Sequence, residues 1–77
     1  MTAEIQANED GTATLLVDGD GRRVVVEFCG PTGAAVSLVC VSHHGVMVRT
    51  VTPLWSELAA ALLWAQDGTP MPGREAT

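Results

Sequence analysis

Cys29, Cys40, His43 and His44 are the side chains of this 77-residue chain best suited to hold a metal ion. Structural zinc sites take four such ligands, ordinarily as two close pairs separated by a loop. The spacing here fits no such pattern, and on an alternating strand Cys40 and His43 fall on opposite faces. No metal is expected. A disulfide is also disfavoured: across a turn at Gly30–Gly33, Cys29 meets a residue near Ala35, far along the strand from Cys40. Both thiols are therefore expected to stay reduced.

Asp18-Gly19-Asp20-Gly21 looks like the opening of a calcium loop. The twelfth position, which should carry a bidentate carboxylate, is Cys29, and the segment turns into strand at Arg22. A hairpin turn accounts for every residue. Ser37, Ser42, Cys29 and the histidine pair imply no nucleophile, base and orienting acid by their spacing. Gly30-Pro31-Thr32-Gly33 lacks the lysine of a phosphate loop and leads into a strand. No catalytic residue and no cofactor are expected, and the chain is read as a non-enzyme.

The elements that carry these residues are read from periodicity. Residues 1–51 alternate with period two between turns, the pattern of an antiparallel meander. Ala3, Ile5 and Ala7 alternate with Glu4 and Gln6 in a short first strand that looks like an edge, and Asn8-Glu9-Asp10-Gly11 is a turn. A two-residue type I′ loop at Asp20-Gly21 sets Gly19 opposite Arg22. It then pairs Val17 with Val24, Leu15 with Val26, Ala13 with Phe28 and Leu16 with Val25, so apolar residues meet on both faces. Pro31 suits the second position of the next turn. The fourth strand, Ala34 to Ser42, is apolar on both sides. His43-His44-Gly45 fits a three-residue loop with Gly45 left-handed, leading to a last strand over Val46–Val51 with Val46 and Val48 on one face. The inner face is expected to hold Ile5, Leu15, Val17, Val24, Val26, Phe28, Val36, Leu38, Cys40 and Val48.

One helical pattern follows. Thr52 is a good N-cap by type, Pro53 suits the first turn, Gly68 stands just past the end, and Pro70 and Pro72 prevent regrowth. Leu54, Trp55, Leu58 and Leu62 share one broad face, with Ala61 and Ala65 beside it, and that face is placed on the sheet. Ser56, Glu57, Gln66 and Asp67 should be wet. Leu63 and Trp64 then project away from the core.

The expected fold is α+β: a five-stranded antiparallel meander with one C-terminal helix packed on one face. It forms a single domain over residues 1–68, followed by a flexible tail over 69–77. One helix covers one face, whereas the second still carries Leu16, Val25, Val39, Val41 and Met47. Together with Leu63 and Trp64, these are the expected partner or dimer interface. A chain of this length buries only about 60–65% of its unfolded surface, so self-association is a common remedy.

Composition narrows the function. The net charge is −5, from nine acidic residues against four arginines, with no lysine and no tyrosine. Such a surface disfavours sequence-independent nucleic-acid binding, which needs cations to displace counterions from phosphate. The acids are scattered among turns and element ends, which is no imitation of a DNA backbone. The start of the chain has no basic segment and no apolar run, and no stretch approaches ~18 apolar residues, so neither signal peptide nor membrane span is expected. A cytoplasmic location is the default expectation. The richness in Ala, Val, Gly and Thr without lysine suggests a high-GC genome, actinobacterial or phage. The expected function is a small, homodimeric protein–protein interaction module with a regulatory or host-interaction role and an unidentified protein partner. A sheet-based binder of single-stranded nucleic acid is the alternative.

Overall fold

A computed structural model of the chain describes residues 2–30 and 33–70. Five strands, β1 (Thr2–Ala7), β2 (Ala13–Asp18), β3 (Arg22–Phe28), β4 (Ala35–Ser42) and β5 (Gly45–Val51), are followed by one helix, α1 (Trp55–Asp67). The strands form one antiparallel sheet in the order β1-β2-β3-β4-β5, and α1 packs on it. This is the expected α+β meander. Among the described residues no helix is long and apolar enough to cross a membrane.

The β2–β3 register is the expected one: Val17 opposite Val24, Leu15 opposite Val26, Leu16 opposite Val25 and Ala13 opposite Phe28. Gly19 N–H closes the hairpin on Arg22 O at 2.8 Å. The loop itself is not type I′, which needs positive φ at both central residues. Gly21 has φ 70°, but Thr52 is the one described non-glycine residue with positive φ, so Asp20 does not qualify. The β1–β2 turn is tied by Asp10, whose carboxylate accepts from Thr12 N–H at 3.0 Å and from Thr12 Oγ1 at 2.6 Å.

Two bulges alter the alternation expected for β4 and β5. Glu27 pairs with Ser37 but Phe28 with Ala35, which leaves Val36 as the extra residue. Val36 is therefore exposed rather than in the core, and Ala35 packs against the core in its place. In β5, Val48 pairs with Cys40 and Val46 with Val41, so Met47 is the extra residue and Val46 sits on the face away from the helix. An inserted residue reverses the facing of everything beyond it. The preceding loop is also shorter than expected: Ser42 pairs with Gly45, leaving His43-His44 at the tip, while Gly45 does take a positive φ of 106°. Pro31 lies outside the described residues; on either side of it Gly33 N–H donates to Gly30 O at 3.1 Å. Of the expected tail, residues 71–77, including Pro72, lie outside the described residues. Thr69 is held to Asp67 Oδ1 by its N–H at 2.9 Å and by its hydroxyl.

The helix starts later than Thr52. That residue sits at φ 52°, a costly place for a β-branched side chain, and gives its N–H to Val36 O at 3.1 Å. Pro53 behind it disfavours helical geometry, so Thr52 ends the sheet instead of capping the helix. Leu54 becomes the N-cap, with φ −76° and ψ 157°, although it has no polar side chain to offer. Glu57 compensates: its Oε1 accepts from Leu54 N–H at 2.8 Å. At the other end Gly68, at φ 79°, donates its N–H to Trp64 O at 2.9 Å. That is the left-handed stop expected of a glycine.

The core joins Val17, Val24, Val26, Leu38 and Cys40 of the sheet to Leu58, Ala61, Trp64 and Ala65 of the helix. The helix is thus rotated from the expected face. Leu54 and Trp55 are 66% and 82% exposed, Leu62 is exposed, and Trp64 is only 8% exposed. Small residues explain the rotation. A Cβ at Gly19 would lie 1.7 Å from Ala65 O, so the helix backbone rests directly on the β2–β3 turn. Ala61 and Ala65 permit that approach, and Leu58 and Trp64 fill the space over the valines. A fully buried Val or Leu contributes about 1.5–3 kcal/mol, so this small cluster carries much of the fold.

Candidate interaction surface

Cys40 is buried, and burial pushes its thiol up to about 11; Cys29 is exposed, and no disulfide joins them. His43 and His44 lie side by side at the exposed loop tip with ring centroids 4.0 Å apart and planes tilted by 42°, and Ser42 Oγ accepts from His44 N–H at 3.1 Å. Asp18 is bound by Arg23 through Nε at 2.6 Å and Nη2 at 3.2 Å. That hydrogen-bonded guanidinium holds the Asp18 carboxyl below its usual range. Among the described residues no three His, Cys, Asp or Glu side chains gather as a metal site would require.

An open cleft at that end of the sheet is lined by Asp18, Arg22, Arg23, Val41, Ser42 and His43 together with the hairpin glycines. Arg22 is taken up by the helix. Its guanidinium lies against Gly68, at the negative end of the α1 dipole, where a cation is stabilising. Asp67 is held low first by the Thr69 hydroxyl and N–H and then by the charge of Arg22. The link between Arg22 and the C-terminal end of the helix is thus one of charge and proximity, and the Arg22 Nε is buried without a hydrogen-bond partner among the described residues.

Two surfaces remain apolar and uncovered. The first is the sheet face away from the helix. Strand pairing aligns Glu4, Leu16, Val25, Val39 and Arg49 in one row across all five strands. Its middle is apolar and its ends carry opposite charges. Beside it, Arg23 lies opposite Val41, and Val41 opposite Val46. Leu16, Val25, Val39 and Val41 are half-buried by their neighbours, while Met47, in its bulge, and Val46 are exposed. The structure therefore leaves the expected sheet residues uncovered in the single chain, with Val46 added by the bulge.

The second surface lies on the helix side, beyond the reach of the helix. α1 rests on β2 and β3, and every residue of β1 is exposed. Ile5, expected in the inner core, is 73% exposed. It belongs to the helix side through its pairing with Leu15, but the helix stops short of it. Between β1 and α1 runs an open groove of about 620 Å³ lined by Ala3, Leu15, Val17, Ala59, Leu62, Leu63 and Gln66. Leu63 stays on the surface, as the sequence suggests, as part of this groove. Trp64 does not: its side chain is core, so it offers nothing to a partner in the folded chain. Sequence reasoning identifies β1 as an edge but misses that its helix-side face is left uncovered. The available signal was its small residues, Ala3 and Ala7, around a single large one.

Comparison with known protein families, with curated proteins and with solved structures finds no match.

Proposed function

We propose that the protein is a small non-enzymatic protein–protein interaction module that works as a cytoplasmic homodimer. The observation that carries this reading is the apolar centre of the open sheet face, Leu16, Val25, Val39 and Val41, over which no element among the described residues passes. A partly covered sheet of this kind in so small a domain gains stability whenever another surface closes it. Two uncovered surfaces suit two tasks, self-association at one and capture of a protein partner at the other. A regulatory or host-interaction role accords with that division.

Binding of single-stranded nucleic acid has less support. Such sheets stack bases on exposed aromatics and track phosphate with cations. The chain has two Trp, one Phe and no Tyr. Phe28 packs against the core on the helix side and both tryptophans belong to the helix, which leaves the open face without a stacking platform.

Sedimentation velocity at micromolar concentration should give twice the mass of the 8.0 kDa chain. A single-chain mass at every concentration overturns the homodimer. Val25→Glu should leave the circular dichroism unchanged and abolish retention of a host protein on the immobilised domain. A salt-dependent shift with single-stranded DNA would replace this reading by the nucleic-acid one.

A further inference from the structure

We propose that two copies of the chain join along β1, edge to edge and antiparallel about Ile5, so that one continuous sheet runs through the dimer. This rests on the homodimer reading above and says where the second copy sits.

The two edges of the sheet differ in how they are protected. Natural edge strands are blunted by bulges, cations, prolines or very short length. β5 has the bulge at Met47, carries Arg49, and leaves the sheet at Thr52-Pro53. β1 has none of these. Its register against β2 is uninterrupted from Thr2 to Ala7, it contains no proline and no cation, and its one charged residue is Glu4.

The backbone of β1 decides what such an edge can accept. Asn8 donates its N–H to Thr12 O at 2.8 Å, continuing the β1–β2 ladder. Because N–H and C=O alternate sides along a strand, Gln6, Glu4 and Thr2 also turn theirs toward β2. Ala3, Ile5 and Ala7 present theirs to the open edge. A second β1 placed antiparallel with Ile5 against Ile5 also sets Ala3 against Ala7 on either side. All three outward residues of both copies are then satisfied, with about six backbone hydrogen bonds.

The side chains select the same register. It sets Glu4 against Gln6 of the second copy, an acceptor against an amide donor; within one chain Gln6 Nε2 already reaches Glu4 Oε2 at 3.0 Å. Slipping two residues one way opposes Glu4 to Glu4, which is repulsive, and slipping the other way opposes Gln6 to Gln6. Either slip loses part of the ladder. The two-fold axis stands perpendicular to the sheet, so both helices lie on one side of it. Ile5, Leu62 and Leu63 of each copy then line one seam, and the groove beside β1 is closed by its counterpart.

A cross-linking experiment tests this. In a Cys29→Ser background, which removes the exposed thiol, Glu4→Cys and Gln6→Cys are prepared separately in the full chain. Each is checked by circular dichroism and then oxidised mildly, alone and after refolding together. Glu4 and Gln6 of the second copy form a non-hydrogen-bonded pair with Cα atoms ~4.5 Å apart, which a disulfide can span. The expected result is a covalent dimer in the mixture, of heterodimer mass, and none in either variant alone. A covalent dimer of Glu4→Cys alone, or of Gln6→Cys alone, overturns the register. No cross-link in a mixture that still sediments as a dimer overturns the β1 seam and leaves the homodimer reading intact, whereas a wild-type monomer removes both.

Discussion

On one face of the sheet Val24, Val26, Leu38 and Cys40 are sealed under α1; on the other Leu16, Val25, Val39 and Val41 stand half-buried, with no described element above them. The side chains are nearly alike, and neighbours on one strand go to opposite fates. What separates the faces is the covering element and how closely it can approach. Gly19, Ala61 and Ala65 let the helix backbone settle onto the β2–β3 turn. Apolar content alone therefore does not make a core.

The largest test of that contrast uses the two tryptophans, one on each side of the helix. Trp64→Ala should cost about 3–5 kcal/mol, the usual loss for emptying a core aromatic site. For a domain whose total stability is about 5–15 kcal/mol, that leaves little margin. Trp55→Ala, at a position 82% exposed, should stay within about 0.5 kcal/mol of the wild type. Urea denaturation of dilute protein measures both. Equal losses at the two sites would mean that the helix has no fixed face.

That face was not legible in the sequence, and the reason is physical. Leu54, Trp55, Leu58, Leu62, Leu63 and Trp64 surround the helix, so counting large residues favours the wrong side. The deciding fit, between Gly19 and Ala65, joins two residues with no local pattern in common. Pairing was easier to read where apolar residues oppose each other on both faces, as in β2 and β3. It failed past Val36 and Met47, because one inserted residue reverses the facing of those beyond it without marking itself in composition. Thr52 is the better N-cap by residue type, but it is committed to Val36 O and precedes Pro53. The uncovered face was legible in its members Leu16, Val25, Val39, Val41 and Met47, since one helix cannot cover two faces. β1 was legible as an edge, but the exposure of Ile5 was not, because alternation shows which way Ile5 points and not how far the helix reaches.

A smaller effect compares adjacent residues on β3 with one substitution. Val24→Thr keeps the shape and places a hydroxyl where no solvent reaches, at a cost of about 1–3 kcal/mol. Val25→Thr puts the same hydroxyl on the open face, where water can satisfy it, and should change the stability of the isolated chain by about 0.5 kcal/mol or less. The pair also reads out coverage. If a partner seats on the open face, the Val25→Thr penalty should grow in the complex while the Val24→Thr penalty stays the same. Identical penalties for the two variants in the dilute chain would show that both faces are equally closed.

The smallest effect is a slope with pH, and each face has its own window. On the open face Asp18 is held low by Arg23, so its contribution is present above its unfolded value and fades as pH falls through the lower folded one. Among the described residues no charged side chain is fully buried under the helix, and the group that titrates there in the alkaline range is the Cys40 thiol. Burial raises it from 9.0 to about 11, so the folded state prefers the protonated form. Its contribution is complete below pH 9 and is lost as pH rises toward 11. Other proteins titrate lysines and tyrosines in this range; this chain has neither, which leaves the window unusually clean. In the Cys29→Ser background the melting temperature should therefore decline between pH 9 and 11, and Cys40→Ala should flatten that decline even if it lowers stability at neutral pH. A decline that survives Cys40→Ala would place its origin outside the covered face. A flat profile with Cys40 present would mean that water reaches the thiol and that the helix seals its side of the sheet less tightly than the burial of Val24 and Leu38 implies.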